Sequence, residues 1–125
     1  MSIEAIFTVL GYLGVLLSIF GFIQLLVFPD LQILYMYGYD PHKNRLFSTF
    51  LDPNLLGSFL SLSLMVVLYL YLRNKRTLTL FWCFVIGFAI LFTFSRSAYV
   101  MIFVGLFCFF WFYSKKILLI LGITA

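Results

Sequence analysis

The chain has 125 residues, 65% of them hydrophobic and only 10% charged, with a formal net charge of +4 and a mean hydropathy of +1.16. A soluble domain is about half apolar and about a quarter charged, so too few charges exist here to cover a water-facing surface; most of it must face something apolar, for which lipid is the usual candidate. The cations sit in short clusters between apolar runs, which is not a nucleic-acid signature but the pattern that sets membrane orientation.

The first charge-free stretch runs from Ala5 to Phe28 and is ended by Pro29-Asp30. It has no Lys/Arg-rich leader and is too long for the apolar part of a cleaved signal peptide, so it is expected to be a retained span. The longest polar segment follows, from Pro29 to Asn54, and holds Asp30, Asp40, His42, Lys43, Arg45 and Asp52. A second span is expected from about Leu55 to Leu72, a third from Thr77 to Phe94, and a fourth from Ser97 to Tyr113. A fifth begins at Ile117 and is cut at Ala125, which points to a fragment of a larger protein.

Each complete stretch approaches the ~20 residues that cross a ~30 Å hydrocarbon core. Backbone in lipid must satisfy its own hydrogen bonds, and none of these runs shows the alternation of barrel strands. The expected fold is therefore all-α: a polytopic transmembrane helical bundle of four complete spans plus the start of a fifth. Ser18, Gln24, Ser58, Ser61, Ser63, Gly87 and Thr93 interrupt the apolar runs and are expected to face neighbouring helices. Cys83 and Cys108 lie inside apolar runs without metal-ligand spacing, as small buried hydrophobes.

The short connections at 73–76 and 114–116 fall at one end of the bundle and carry Arg73, Lys75, Arg76, Lys115 and Lys116. The other end holds Lys43, Arg45 and Arg96. The positive-inside rule then puts 73–76 and 114–116 in the cytoplasm and the 29–54 loop outside. Tyr69, Tyr71, Trp82, Trp111 and Tyr113 are placed to form the inner aromatic belt. Tyr35, Tyr37 and Tyr39 suit an outer belt or stacking on sugar rings.

Two segments at the outer end carry chemistry: Arg45 to Asn54, and Thr93 to Ser97. Asp52-Pro53 is a helix start, with Asp at the N-cap and Pro in the first turn, and Ser95 is an N-cap for the fourth span. Both helix N-termini present N–H groups and partial positive charge. Arg45 and Arg96 belong to the same end, and guanidinium grips phosphate bidentately. Two arginines beside two helix starts would suit a multiply charged anion, such as a lipid-linked diphosphate. Bland readings stand beside this: Arg45 as a solvated loop cation, and Arg96 snorkelling to headgroups. His42 reads as a solvated loop histidine or a general base, Asp52 is accounted for by capping, and Asp30 and Asp40 lack metal-site spacing.

Arg45 followed by Phe50-Leu51-Asp52-Pro53-Asn54-Leu55-Leu56-Gly57 resembles the "R…tF.nPN.lg" segment of the O-antigen ligase and polymerase family. Phe94-Ser95-Arg96-Ser97-Ala98 resembles that family's "SR.a" segment, one helical hairpin later, and the match covers roughly residues 40 to 115. The resemblance implies part of a bacterial plasma-membrane glycan ligase or polymerase. Such an enzyme transfers an undecaprenyl-diphosphate-linked glycan to a sugar acceptor at the outer face. It implies Arg45 and Arg96 as catalytic groups that stabilise the leaving diphosphate, and Asn54 and Ser95 as substrate-binding residues, with a structural role open for Asn54. No metal or other cofactor is implied; the expected partners are the bilayer, the lipid-linked glycan and the remaining spans of a parent protein. Family members carry ten or more spans and a late outer loop with an important histidine; His42 does not match it. The alternatives are an anion transporter or permease fragment, and a non-catalytic membrane subunit.

Overall fold

The computed structural model describes residues 2–39 and 41–120, the last five of these by backbone alone. Four α-helices follow one another: α1 Ile3–Val27, α2 Pro53–Asn74, α3 Thr77–Thr93 and α4 Arg96–Ile120. Among the described residues the only β pairing is an isolated bridge between Asp30 and Lys43. The helices α1, α2 and α4 are long and apolar enough to cross a membrane; α3, with 17 residues, is shorter. At 1.5 Å per residue α3 measures about 25 Å, somewhat less than a typical hydrocarbon core.

Local chemistry sets the helix boundaries. Ser2 Oγ accepts from the Ala5 N–H, capping α1. Asp52 Oδ1 accepts from the N–H groups of Asn54 (2.7 Å) and Leu55 (3.4 Å), with Pro53 as the first residue of α2. At the far end of α2 the chain reverses through Lys75 in the left-handed region, whose N–H donates to the Tyr71 carbonyl at 2.7 Å. Phe94, also left-handed at φ 49°, turns α3 into α4.

Packing is arranged around α2, which touches α1, α3 and α4. Small residues set how closely the helices approach. A Cβ added at Gly11 would lie 2.9 Å from Val67 Cγ2, and one at Gly14 would lie 2.7 Å from Ser63 Cβ. With buried Ser18 and Gly21 they form one small-residue stripe along α1. On the other side of α2, a Cβ at Gly57 would lie 2.8 Å from that of Ala98 on α4. The buried apolar core runs through Leu56, Leu60, Val67, Trp82, Ile86, Ala89, Ile90 and Ala98, with Leu46 inserted from the loop.

Four sequence expectations need correction. The turn expected at Ser114-Lys115-Lys116 is absent: α4 continues unbroken from Arg96 to Ile120. This run holds no proline to stop it, and Lys115 lies back over the Trp111 ring, 5.1 Å from its centroid. The fourth and fifth expected spans are one helix as far as Ile120, and the remainder of the fifth lies outside the described residues. Trp82 is a core residue rather than a belt residue: it is buried, its ring centroid 4.4 Å from that of Tyr12, in space that Gly11 leaves open. Gly87 faces no neighbour, since a Cβ there would meet nothing within 4 Å. Cys108 is exposed on α4, whereas Cys83 is half-buried. Ser18, Ser61, Ser63 and Thr93 are buried, as their polarity in apolar runs predicts.

Candidate functional site at the Arg45 end

The segment between α1 and α2 folds across one end of the bundle. The N–H of Leu31 donates to the His42 carbonyl at 3.0 Å, and that of Asn44 to the Pro29 carbonyl at 2.8 Å. This pairing closes a loop whose first part is a 3-10 turn over Gln32–Tyr37 and carries residues 45–48 back over the helix ends. Leu46, Phe47 and Ser48 are all buried there, and the Leu46 N–H donates to the Phe92 carbonyl of α3 at 2.9 Å. The Leu46 side chain occupies the space where a Cβ on Gly21 would be.

Gln24, the one amide within α1, holds this segment. Its Oε1 accepts from the N–H groups of Phe47 (3.0 Å) and Ser48 (3.3 Å). Its Nε2 donates to the carbonyls of Phe28 (2.9 Å) and Arg45 (3.4 Å). One side chain thus satisfies four backbone groups that the irregular loop leaves without helical partners.

Arg45 is positioned between these anchors. Its Nε donates to the Thr93 carbonyl at 2.7 Å and its Nη2 to the Phe94 carbonyl at 2.9 Å. These are carbonyls at the C-terminus of α3, where helix geometry provides no N–H and the dipole is negative. At 3.5 Å, Nη2 also meets Asn54 Oδ1 in the first turn of α2, and Nη1 meets His42 Nδ1. The solvated-loop reading of Arg45 is thereby replaced: the side chain is a half-buried bracket between α3, α2 and the loop.

The second segment follows directly. Ser95 is buried; its Oγ accepts from the Ala98 N–H at 3.3 Å and lies 2.9 Å from Ser97 Oγ. It is the N-cap of α4, as the sequence predicts. Its hydroxyl is engaged within the protein, and Asn54, by contrast, is exposed. Arg96 is the first residue of α4, exposed, with no side-chain hydrogen bond or ion pair among the described residues. Arg45, Asn54 and the 93–96 turn therefore share one end of the bundle, with Arg96 two residues beyond the Phe94 carbonyl that Arg45 holds. His42 lies beside Arg45, while Asp30 Oδ1 accepts from the Gln32 N–H at 3.2 Å in a local turn. Asp40 lies outside the described residues.

Sequence reasoning did not single out Gln24 or Leu46 as site-forming, nor Ser48. Ser48 has φ 50° and a buried Oγ with no partner among the described residues. A glutamine in an apolar span was the available signal for Gln24; nothing local marks Ser48. What the arrangement leaves open to an anion is the exposed Arg96 guanidinium: at the start of α2 the Asn54 and Leu55 N–H groups donate to Asp52 Oδ1, and at the start of α4 the Ala98 N–H donates to Ser95 Oγ. Arg45 offsets the negative end of α3, which would otherwise oppose an anion there. No protein-family model matches the chain, and no curated protein or solved structure matches it either.

Proposed function

We propose that the chain is part of a bacterial membrane glycan ligase or polymerase. It transfers a glycan from an undecaprenyl-diphosphate carrier to a sugar hydroxyl at the outer face of the plasma membrane. The observation that supports this reading most is the exposed Arg96 at the start of α4, without a side-chain partner among the described residues and two positions beyond the Phe94 carbonyl that holds Arg45.

In such a transfer the acceptor oxygen bonds to the anomeric carbon while the bond to the carrier diphosphate breaks. The electron pair leaves on the diphosphate, and the acceptor's proton passes to a base that these residues do not supply. Arg96 takes the role of gripping the departing diphosphate, whose growing charge it stabilises more than the ground state. Arg45 acts as a positioning residue: it holds Asn54 and the 93–96 turn together and adds positive potential. Asn54 contributes an exposed amide, and Ser95 contributes through the helix start it caps.

A non-catalytic membrane subunit is the second reading, favoured by one specific observation. Most of Arg45's donors are spent on protein partners, as a purely structural residue's would be. An anion transporter would draw on Arg96 as well.

One experiment separates them. Membranes containing the protein of which this chain is part are supplied with a labelled undecaprenyl-diphosphate glycan and acceptor. Arg96→Lys should lower transfer by about 100-fold, the loss expected when a transition-state contact is removed, with membrane insertion unchanged. Transfer unchanged in Arg96→Lys would refute the role given to Arg96, absence of transfer by the unaltered protein would refute the ligase reading, and Arg96-dependent anion flux without transfer would establish a transporter.

A further inference from the structure

At the end of the bundle away from Arg45, α3 begins without a side-chain cap. Its N-cap residue is Arg76, whose side chain makes no capping hydrogen bond. The N–H groups of Thr79 and Leu80 both donate to the Arg76 carbonyl, at 3.1 and 3.3 Å. Those of Thr77 and Leu78, the first two residues of the helix, have no acceptor among the described residues. Free N–H groups at the positive end of a helix attract an anion, although a helix start alone does not make a site.

Here the helix start opens on a cavity. About 90 Å³ lies between α1, α2 and α3, lined among others by Thr8, Asn74, Arg76, Leu78, Thr79 and Trp82. Trp82 is only 6% exposed, yet its Nε1 has no hydrogen-bond partner among the described residues. The unpartnered side-chain atoms sealed from solvent are Ser48 Oγ and Ser63 Oγ, so Trp82 Nε1 keeps access to open space. The other edge of the indole, at Cε3 and Cζ3, packs 3.4 and 3.3 Å from the Cβ position of Gly11. The edge carrying the N–H is therefore turned away from that glycine, on a ring that lines the cavity. An indole N–H only donates, and a buried one calls for an acceptor.

The remaining lining groups narrow the chemistry. The Arg76 guanidinium and the Asn74 amide have no side-chain partner among the described residues, and no carboxylate lines the cavity. Glu4, one turn before Thr8, is held by Arg73 at 2.6 Å. The hydroxyls of Thr8 and Thr79 donate to the carbonyls of Glu4 (2.8 Å) and Arg76 (2.7 Å), which leaves their oxygens free only to accept. The cavity thus offers several donors for an oxyanion and acceptors for one O–H. We propose that it binds a phosphate group that keeps a proton, either inorganic phosphate or a phosphate monoester on a lipid. Two N–H groups of α3, Trp82 Nε1, Asn74 and Arg76 hold the oxygens, and a threonine oxygen takes the P–O–H. The proposal concerns the end of the bundle opposite Arg96 and is independent of glycan transfer.

The test is calorimetric titration of the full chain in dodecyl maltoside near neutral pH, with chloride holding ionic strength constant. The probes are sodium phosphate, sodium sulfate and dihexanoyl phosphatidic acid. Phosphate should bind saturably at one site, and sulfate, which has no O–H, about fivefold more weakly. Arg76→Gln should weaken phosphate by about tenfold and Trp82→Phe, which keeps an aromatic ring but no donor, by about fivefold. Lys75→Gln removes the same charge from a residue that lies over Tyr71 and does not line the cavity, and should leave affinity within about twofold. Arg76-dependent binding of inorganic phosphate would identify a free ion as the occupant, and such binding of the phosphatidic acid alone a lipid monoester; either outcome supports the site. Absence of saturable binding of both by the unaltered chain would overturn it. So would unchanged affinity in Arg76→Gln, or a loss in Lys75→Gln as large as in Arg76→Gln, and since Arg76 is exposed these two tests stand even where Trp82→Phe fails to fold.

Discussion

Arg45 Nε donates to the backbone carbonyl of Thr93 at 2.7 Å, joining two residues 48 positions apart and sealing the C-terminus of α3 with a cation from the loop before α2. The same guanidinium reaches the Phe94 carbonyl at 2.9 Å, so it caps the turn as well as the helix.

That double contact is worth measuring. Hydrogen bonds from charged donors contribute roughly 1.5–3 kcal/mol each, so Arg45→Ala should destabilise the bundle by about 3 kcal/mol in thermal unfolding in micelles. Arg45→Lys should recover only part of this, because an ammonium is compact and lacks the planar fork that spans the two carbonyls. A full recovery would mean that charge alone, not geometry, is what α3 requires.

Arg96 should behave in the opposite way. It is exposed and has no side-chain partner among the described residues, so Arg96→Gln is expected to change unfolding by no more than about 0.5 kcal/mol. The same substitution should remove binding of undecaprenyl diphosphate, read as loss of retained lipid in native mass spectrometry. A stability loss comparable to that of Arg45→Ala would assign Arg96 a structural role instead.

Gln24→Leu removes the acceptor of the Phe47 and Ser48 amides while keeping a similar volume. Leaving a buried N–H without a partner costs about 1–3 kcal/mol, so exchange at these two amides should accelerate by about tenfold or more. Gln24→Glu keeps the acceptor but loses the donor to Phe28 and Arg45, and should protect both amides better than Gln24→Leu.

Two glycines give a paired prediction. Gly57→Val forces a branched side chain against Ala98, Thr93 and Ser95, and overpacking of this kind costs about 1–3 kcal/mol. Gly87→Ala meets open space, and its effect on thermal unfolding should be within about 0.5 kcal/mol of zero.

The continuity of α4 can be checked at Ser114. A proline there would be harmless in a turn but costs about 3 kcal/mol inside a helix, through the lost hydrogen bond and the clash with the preceding turn. Ser114→Pro should therefore lower helicity and thermal stability. An unchanged far-ultraviolet spectrum would restore the turn expected from the Lys115-Lys116 pair.

Much of the fold was legible in the residues, and for definite reasons. Apolar runs predict helices in lipid because an unpaired peptide group there has no water to turn to. Asp52, Pro53 and Ser95 announced their helix starts because capping is a contact between residues two or three apart. The lysines at 115–116 misled because charge signals where a helix meets water, not where its hydrogen bonding ends. Trp82 misled in a similar way: position along a span suggests a belt, but the space left by Gly11 draws the ring inward.

The sequence by itself determined an all-helical, lipid-compatible chain, the starts of α2 and α4, and a pair of arginines assigned to one end. Tertiary structure alone decided what the arginines do there. Arg45 closes α3 and touches Asn54, whereas Arg96 is left exposed. The reason is physical: hydropathy and capping act over a few neighbouring residues, but which carbonyl a guanidinium meets depends on how far Gly11, Gly14, Gly21 and Gly57 let the chain close upon itself.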